Sequence, residues 1–168
     1  MKKVIISPYS KYLGKGRVNP KNYPWWKEVV RSLKEKVPDT HITQVGIDGE
    51  MEISGVDEFI VNQPLKKIEE LISSSTTWIS VDNFFPHMAS HLNKPGVVIF
   101  GQSDPQIFGY PININILKDR AHLLQYQFEL WINVEFKPNC FVYPDTVVEA
   151  TIKLINNHLS LTNISGTK

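Results

Sequence analysis

The stretch Trp78-Ile79-Ser80-Val81-Asp82-Asn83-Phe84-Phe85-Pro86-His87-Met88-Ala89, followed shortly by Val97-Val98-Ile99-Phe100, decides the fold class. Its two apolar runs are short enough for strands, and the segment between them places Met88, Ala89 and Leu92 on one side of a helix starting near Pro86. Val97 to Phe100 shows no polar alternation, as a strand covered on both faces requires. Strand, helix, strand in this order is the unit of a parallel sheet wrapped by helices.

Upstream the same alternation holds. Val4-Ile5-Ile6 precedes an amphipathic stretch from Trp25 to Val37, which opens after Pro24 and repeats Trp26, Val29, Val30, Leu33 and Val37 at helical spacing. Ile42 to Val45 precedes Pro64 to Ile72, whose charges fall outside the apolar face. Downstream, Ile114 to Leu117 reads as a further strand and Asp145 to Leu154 as a closing helix capped by Asp145. Arg120 to Trp131 fits a helix or an ordered loop. The expected fold is therefore α/β, a single doubly wound parallel sheet over residues 1–160, with a polar tail at 161–168.

The 168 residues, 42% hydrophobic and 11% aromatic, suffice for one sizeable core without covalent staples. Eighteen basic and seventeen acidic residues leave a formal charge of +1, so no nucleic-acid partner is expected. The lone Cys140 excludes an internal disulfide framework and reads as a core residue. No signal peptide or membrane span is expected, and the chain reads as cytoplasmic, which leaves the sequon Asn163-Ile164-Ser165 without a role.

In parallel sheets ligands gather at the carboxyl ends of the strands, so the loops there matter most. After the first strand, Ser7 to Arg17 is polar and basic with two glycines, followed by Lys21; it has donors for a phosphate but not the G-x-x-x-x-G-K-[ST] pattern. After the second, Gly46-Ile47-Asp48-Gly49-Glu50 is a turn whose acid either binds ribose hydroxyls or is solvated. At Asp82-Asn83 a strand passes into a helix, where backbone amides suit a diphosphate and the side chains equally suit N-capping. After Phe100, Gly101-Gln102-Ser103-Asp104-Pro105 permits close approach of a ligand or makes a rigid turn. His87 and His91 stand four apart, but Met88 occupies the place of the acid in H-E-x-x-H, so neither a metal nor another cofactor is expected. No G-x-S-x-G elbow anchors a hydrolase.

In series these stretches resemble the nucleotide-sugar-binding, C-terminal half of glycosyltransferase family 9, the ADP-heptose:lipopolysaccharide heptosyltransferases. Lys21-Asn22-Tyr23-Pro24-Trp25-Trp26 is similar to that family's K-x-W-P segment, Gly46 to Glu50 to its G-x-x-x-E turn, and Leu65 to Ile72 to its S-L-x-E-L-x-x-L-I helix. Asp82 to Ala89 resembles D-T-G-x-x-H-x-A, and Lys94 to Pro105 resembles P-x-x-x-x-x-G-x-T-x-P. The resemblance covers about residues 3 to 110. It implies a Rossmann-like half of a GT-B glycosyltransferase in which Lys21 contacts a donor phosphate and Glu50 holds the ribose. It further implies that the backbone at Leu65 borders the base, that the Asn83 and Phe84 amides bind the diphosphate, that Asp82 orders the loop or touches the sugar, and that His87 supports it. Ser103 falls in the loop matched to G-x-T-x-P.

Two departures stand out. The family's Thr-Gly is here Asn83-Phe84, and the family's preceding, acceptor-binding domain has no counterpart in this sequence, so no catalytic residue is assigned. The expected function is thus binding of a nucleotide-sugar, with transfer aided by a second copy or a separate acceptor-domain chain. Two alternatives stand beside it: a non-catalytic nucleotide or nucleotide-sugar binder, and an interaction module cued by Tyr23, Trp25, Trp26, Phe84, Phe85, Phe108 and Tyr110.

Overall fold

The structure is a computed structural model that describes residues 1–14 and 16–165, with side chains placed as far as residue 160. Lys15 of the basic loop, the sequon's side chains and residues 166–168 lie outside the described residues. Six parallel strands, β1 (Lys2–Ser7), β2 (Thr40–Gly46), β3 (Glu58–Val61), β4 (Thr77–Val81), β5 (Val97–Phe100) and β6 (Ile114–Leu117), form one sheet in the order β3-β2-β1-β4-β5-β6. The helices are α1 (Trp26–Lys36), α2 (Leu65–Ser74), α3 (Phe84–His91), the short α4 (Pro105–Phe108) and α5 (Pro144–Ser165).

Alternate side chains of each strand feed two separate cores, the consequence of a period of two in a sheet covered on both sides. Val4, Ile6, Ile42, Ile79, Val81, Val97 and Ile99 join Trp26, Val29, Val30 and Leu33 of α1 and Val147, Val148 and Ile155 of α5. Ile5, Val45, Trp78, Val98 and Phe100 join Ile68 and Ile72 of α2 and Phe85 and Ala89 of α3. The doubly wound parallel sheet expected from the sequence is the fold observed.

Three differences are local. The edge strand β3 has no counterpart in the strand runs above; it is four residues long and half-exposed. Asp145 does not cap α5 but lies in its first turn behind Pro144, where its charge faces the positive helix end and meets Lys36 at 3.3 Å. The backbone of α5 continues past Leu154 to Ser165.

Cys140 is fully buried, and burial pushes its thiol up to about 11, as expected of an inert core cysteine. No helix among the described residues is long and apolar enough to cross a membrane.

Trp78 is the largest wholly buried side chain of the second core, tilted against Phe85 at 5.4 Å with its indole N–H donating to the Lys94 carbonyl at 3.0 Å. Trp78→Ala is expected to cost about 3–5 kcal/mol, read from urea unfolding monitored by far-UV circular dichroism. A loss below about 1 kcal/mol would contradict this packing.

Candidate functional site

The strand order reverses between β1 and β4, so the loops after them leave on opposite faces and open a crevice at their carboxyl ends. Asn83 sits in that crevice. Its amide nitrogen donates to Ser7 Oγ at 3.0 Å and to the Tyr9 carbonyl at 2.9 Å, both in the chain leaving β1. Its Oδ1 accepts the Phe85 N–H at 2.8 Å and lies 3.0 Å from the Ser80 hydroxyl. Thus Asn83 both N-caps α3 and stitches β4 to β1. Of the two roles open to this position, its side chain takes the capping one.

The neighbouring Asp82 is committed as well. Its Oδ2 lies 2.7 Å from Lys21 Nζ, an ion contact that lacks aligned hydrogen-bond geometry, and the two side chains are only 7% and 16% exposed. The Lys21 ammonium also lies 4.5 Å from the centre of the Trp131 ring and 5.7 Å from that of Phe108. Lys21 is thereby paired and roofed by aromatic rings.

The roof comes from the segment left open between helix and loop. It is an ordered loop with short 3₁₀ turns at Arg120–His122, Trp131–Asn133 and Pro138–Cys140. Arg120 grips Asp104 through two contacts, at 3.1 and 2.7 Å, and holds that carboxyl below its ordinary range. Gln127 accepts the Asp104 N–H at 2.7 Å, and Gln102 donates to the Glu135 carbonyl at 3.0 Å. At Gly101 a Cβ would stand 2.7 Å from Phe141 and 2.8 Å from Cys140 Sγ, so the close approach this glycine permits is made by the protein itself.

Two adjoining cavities lie on the β1–β2–β3 side. A cleft of about 250 Å³ is walled by Val45, Leu65, Ile68 and Phe84, with Ser7, Tyr9 and Glu50 on its polar side and Asn62 and Gln63 at its edge. A smaller cavity of about 160 Å³ shares Tyr9 and Glu50 with it and continues along Lys11, Arg17, Asn19 and Asn22. Glu50 stands between the two.

The sequence folds Glu50 back for a local reason. Its Oε2 accepts the Ile47 N–H at 3.0 Å, and a Cβ on residue 46 would lie 2.5 Å from that oxygen and 2.9 Å from the Phe59 ring, so Gly46 leaves the room into which the carboxylate folds. Buried Gln44 fixes the loop beyond by donating to the Met51 carbonyl at 2.9 Å and accepting the Ile53 N–H at 2.7 Å. Burial raises the Glu50 carboxyl above its ordinary value, against the opposing Ile47 hydrogen bond. Burial first, and the Glu50 charge second, raise the Tyr9 hydroxyl, which donates to the Met51 carbonyl at 3.1 Å.

Of the residues singled out from sequence, Glu50, Leu65 and Phe84 line one cleft, and Asn83 braces the chain that forms its wall. Leu65 and Phe84 are 64% and 51% exposed, as apolar walls of an open cleft would be. Lys21 and Asp82 form a closed pair that lines neither cavity. His87 is exposed, with Nδ1 2.7 Å from the Tyr110 hydroxyl, and Ser103 is buried at the end of β5; neither lines these two cavities. Among the described residues no group of three metal-ligating side chains assembles.

Sequence reasoning passed over Trp131, Asn62 and Gln63. A left-handed Asn62, at φ 52°, which accepts the Asp48 N–H at 3.2 Å, had a legible signal in Asn-Gln-Pro ahead of a helix. Of the aromatic group, Tyr23, Trp26 and Phe85 are core; the exposed apolar row is Tyr126, Phe128 and Leu130.

The buried pair makes a sharp prediction. Lys21→Met leaves Asp82 without its counter-charge and is expected to cost about 3 kcal/mol in urea unfolding, while Lys21→Met with Asp82→Leu recovers most of the loss. Equal instability of the single and double variants would show that the pair is not coupled.

The sequence matches no protein-family profile and no curated protein, whereas the fold matches solved structures. ADP-heptose lipopolysaccharide heptosyltransferase II of E. coli superposes with a TM-score of 0.66 at 16% identity, over 93% of this chain and 47% of that one. A glycosyl transferase family 9 protein of Veillonella parvula gives 0.62 at 14% identity, over 93% and 46%. The dodecameric, iron-containing glycosyltransferase TibC of enterotoxigenic E. coli gives 0.61 at 17% identity, over 99% and 46%, and TibC has also been solved with ADP-D-β-D-heptose. The chain thus spans a little under half the length of each. Its six-stranded parallel sheet has the fold of one half of a family 9, GT-B glycosyltransferase.

Proposed function

We propose that the chain binds a nucleotide or nucleotide-sugar, with the nucleoside in the cleft beside Glu50. The observation that carries this reading is the placement of Glu50. A half-buried carboxylate stands at the carboxyl end of β2, on the polar side of a cleft whose other walls are Val45, Leu65, Ile68 and Phe84. Apolar walls suit a flat base, and a carboxylate accepts paired ribose hydroxyls. The backbone at Leu65 borders the base in this arrangement, and the sheet neighbour TibC, solved with ADP-D-β-D-heptose, makes adenine the first base to try.

The transfer reaction has weaker support than binding. An Asn83 side chain already bonded to the chain after β1, and a Lys21 already neutralised by Asp82, leave little there to stabilise a departing diphosphate. These two observations favour a binding protein without catalysis as the second reading. Sugar transfer would require an acceptor presented across the cleft by another chain or a second copy, with Asn83, Phe84, Asp82 and His87 ordering the loop beneath the sugar.

A thermal-shift panel of ADP, UDP, GDP and their sugar conjugates tests the reading, since a ligand at 100 times its Kd stabilises by about 2.7 kcal/mol. No shift with any of them would end it. Glu50→Ala is expected to weaken the ligand that does bind by roughly tenfold, the worth of one charge-assisted hydrogen bond, with the fold intact. Release of free nucleoside diphosphate on adding an acceptor would favour transfer over sequestration.

The raised carboxyl gives the binding a pH signature. Affinity is expected to fall as pH drops through the elevated Glu50 value, at higher pH than an ordinary glutamate would allow, and Glu50→Gln is expected to abolish that dependence in calorimetric titrations. The unliganded protein responds in the opposite sense. Because the folded state holds the Glu50 proton more tightly than the unfolded state, stability falls as pH rises from the ordinary 4.5 up to the elevated value, and Glu50→Gln flattens that slope in urea unfolding at a series of pH values.

A further inference from the structure

The Lys21–Asp82 pair and the cavity beyond Glu50 differ in what they offer an anion. At the pair, the ammonium is 2.7 Å from a carboxylate and beneath the Trp131 ring, so an arriving phosphate meets no net charge and must displace an indole. The cavity beyond Glu50 is the reverse case. Lys11 and Arg17 both line it, and among the described residues neither forms an ion pair. Arg17 spends one N–H on the Ile132 carbonyl at 3.1 Å, and the side-chain nitrogen of Lys11 has no partner among the described residues. The carboxylate between them and the larger cleft, Glu50, is turned back onto the Ile47 N–H.

The chain is built to hold this geometry. The Arg17 N–H donates to the Gly14 carbonyl at 3.0 Å, and Arg17 lines the same cavity as Lys11. Asn19 braces the loop by donating to the Lys11 carbonyl at 2.8 Å and accepting the Lys21 N–H at 2.9 Å. Asn22 accepts the Ser10 N–H at 2.8 Å, which leaves its amide N–H groups as further donors lining the cavity. Among the described residues, two cations and a neutral amide donor thus line the cavity that meets the apolar cleft at Glu50.

We infer that this basic cavity, and not Lys21, receives the anionic end of the ligand, which is a nucleoside phosphate with its base in the larger cleft and its phosphate between Lys11 and Arg17. The inference rests on the nucleotide reading above and assigns its phosphate subsite. A phosphate entering there replaces water around two exposed cations without breaking an internal ion pair, so its contribution is real but screened by salt.

Calorimetric titration of the full chain with ADP and with adenosine, at low and high salt, tests it. The unaltered protein is expected to bind ADP at least roughly tenfold more tightly than adenosine at low salt, with the gap closing at high salt. Lys11→Ala with Arg17→Ala is expected to bind ADP no better than adenosine while keeping its adenosine affinity and circular dichroism spectrum. Three results overturn the inference and leave the nucleotide reading standing: equal affinity of the unaltered protein for both compounds, full ADP preference retained in the Lys11/Arg17 variant, or loss of that preference in Lys21→Met with Asp82→Leu. Failure of the unaltered protein to bind either compound, or any other nucleotide, removes the nucleotide reading and this inference with it.

Discussion

The junction between β1 and β4 is the constraint on which the rest of the molecule depends. Two parallel strands that send their chains to opposite faces leave a gap at their carboxyl ends, and buried backbone groups in such a gap need partners. One amide supplies them. Asn83 ties the Ser7 hydroxyl and the Tyr9 carbonyl to the start of α3, so that the loop after β1, the first turn of α3 and the cleft wall at Phe84 are fixed relative to one another. An asparagine can do this because it donates twice and accepts twice. A threonine-glycine pair, as in the motif it resembles, lacks a side-chain amide with which to bridge the two chains.

Beside the Asn83 bridge the charges turn inward. Asp82 and Lys21 satisfy each other in near-complete burial, and the cost of taking both out of water is offset by their mutual attraction and the faces of Trp131 and Phe108. The segment that brings Trp131 there is itself held by Arg120 on Asp104 and by Gln102 and Gln127 on backbone groups. The β4–β5 side of the carboxyl edge is therefore occupied by protein. On the β1–β2–β3 side, by contrast, the glycine at 46 and the buried Gln44 hold a carboxylate between an apolar cleft and a basic cavity. The asymmetry of the carboxyl edge follows from this division.

Much of this was legible in the residues. The runs at Val4, Ile42, Trp78, Val97 and Ile114 are strands, and the helical faces at Trp26 to Leu33 and at Ile68 and Ile72 are buried, because alternation and 3.6-residue periodicity record which side chains leave water. The turn from Gly46 to Glu50 was legible too, since its chemistry is local. β3 was not, because a half-exposed edge strand of four residues leaves too short a hydrophobic trace. Nor was the loop around residues 119–143, which is held by the Arg120–Asp104 pair and by isolated side-chain bonds to backbone distant in sequence, and so carries no period.

By itself, then, the sequence determined the layers: a parallel sheet covered on both faces, because burial patterns are written locally along the chain. Only the tertiary structure decided which of the candidate residues share a cleft. Lys21 and Asp82 are sixty-one positions apart and cancel each other, whereas Lys11, Arg17 and Glu50 converge on open space. Whether a charge is available to a ligand depends on what else is folded against it, and that is a property of three-dimensional neighbours, not of spacing along the chain.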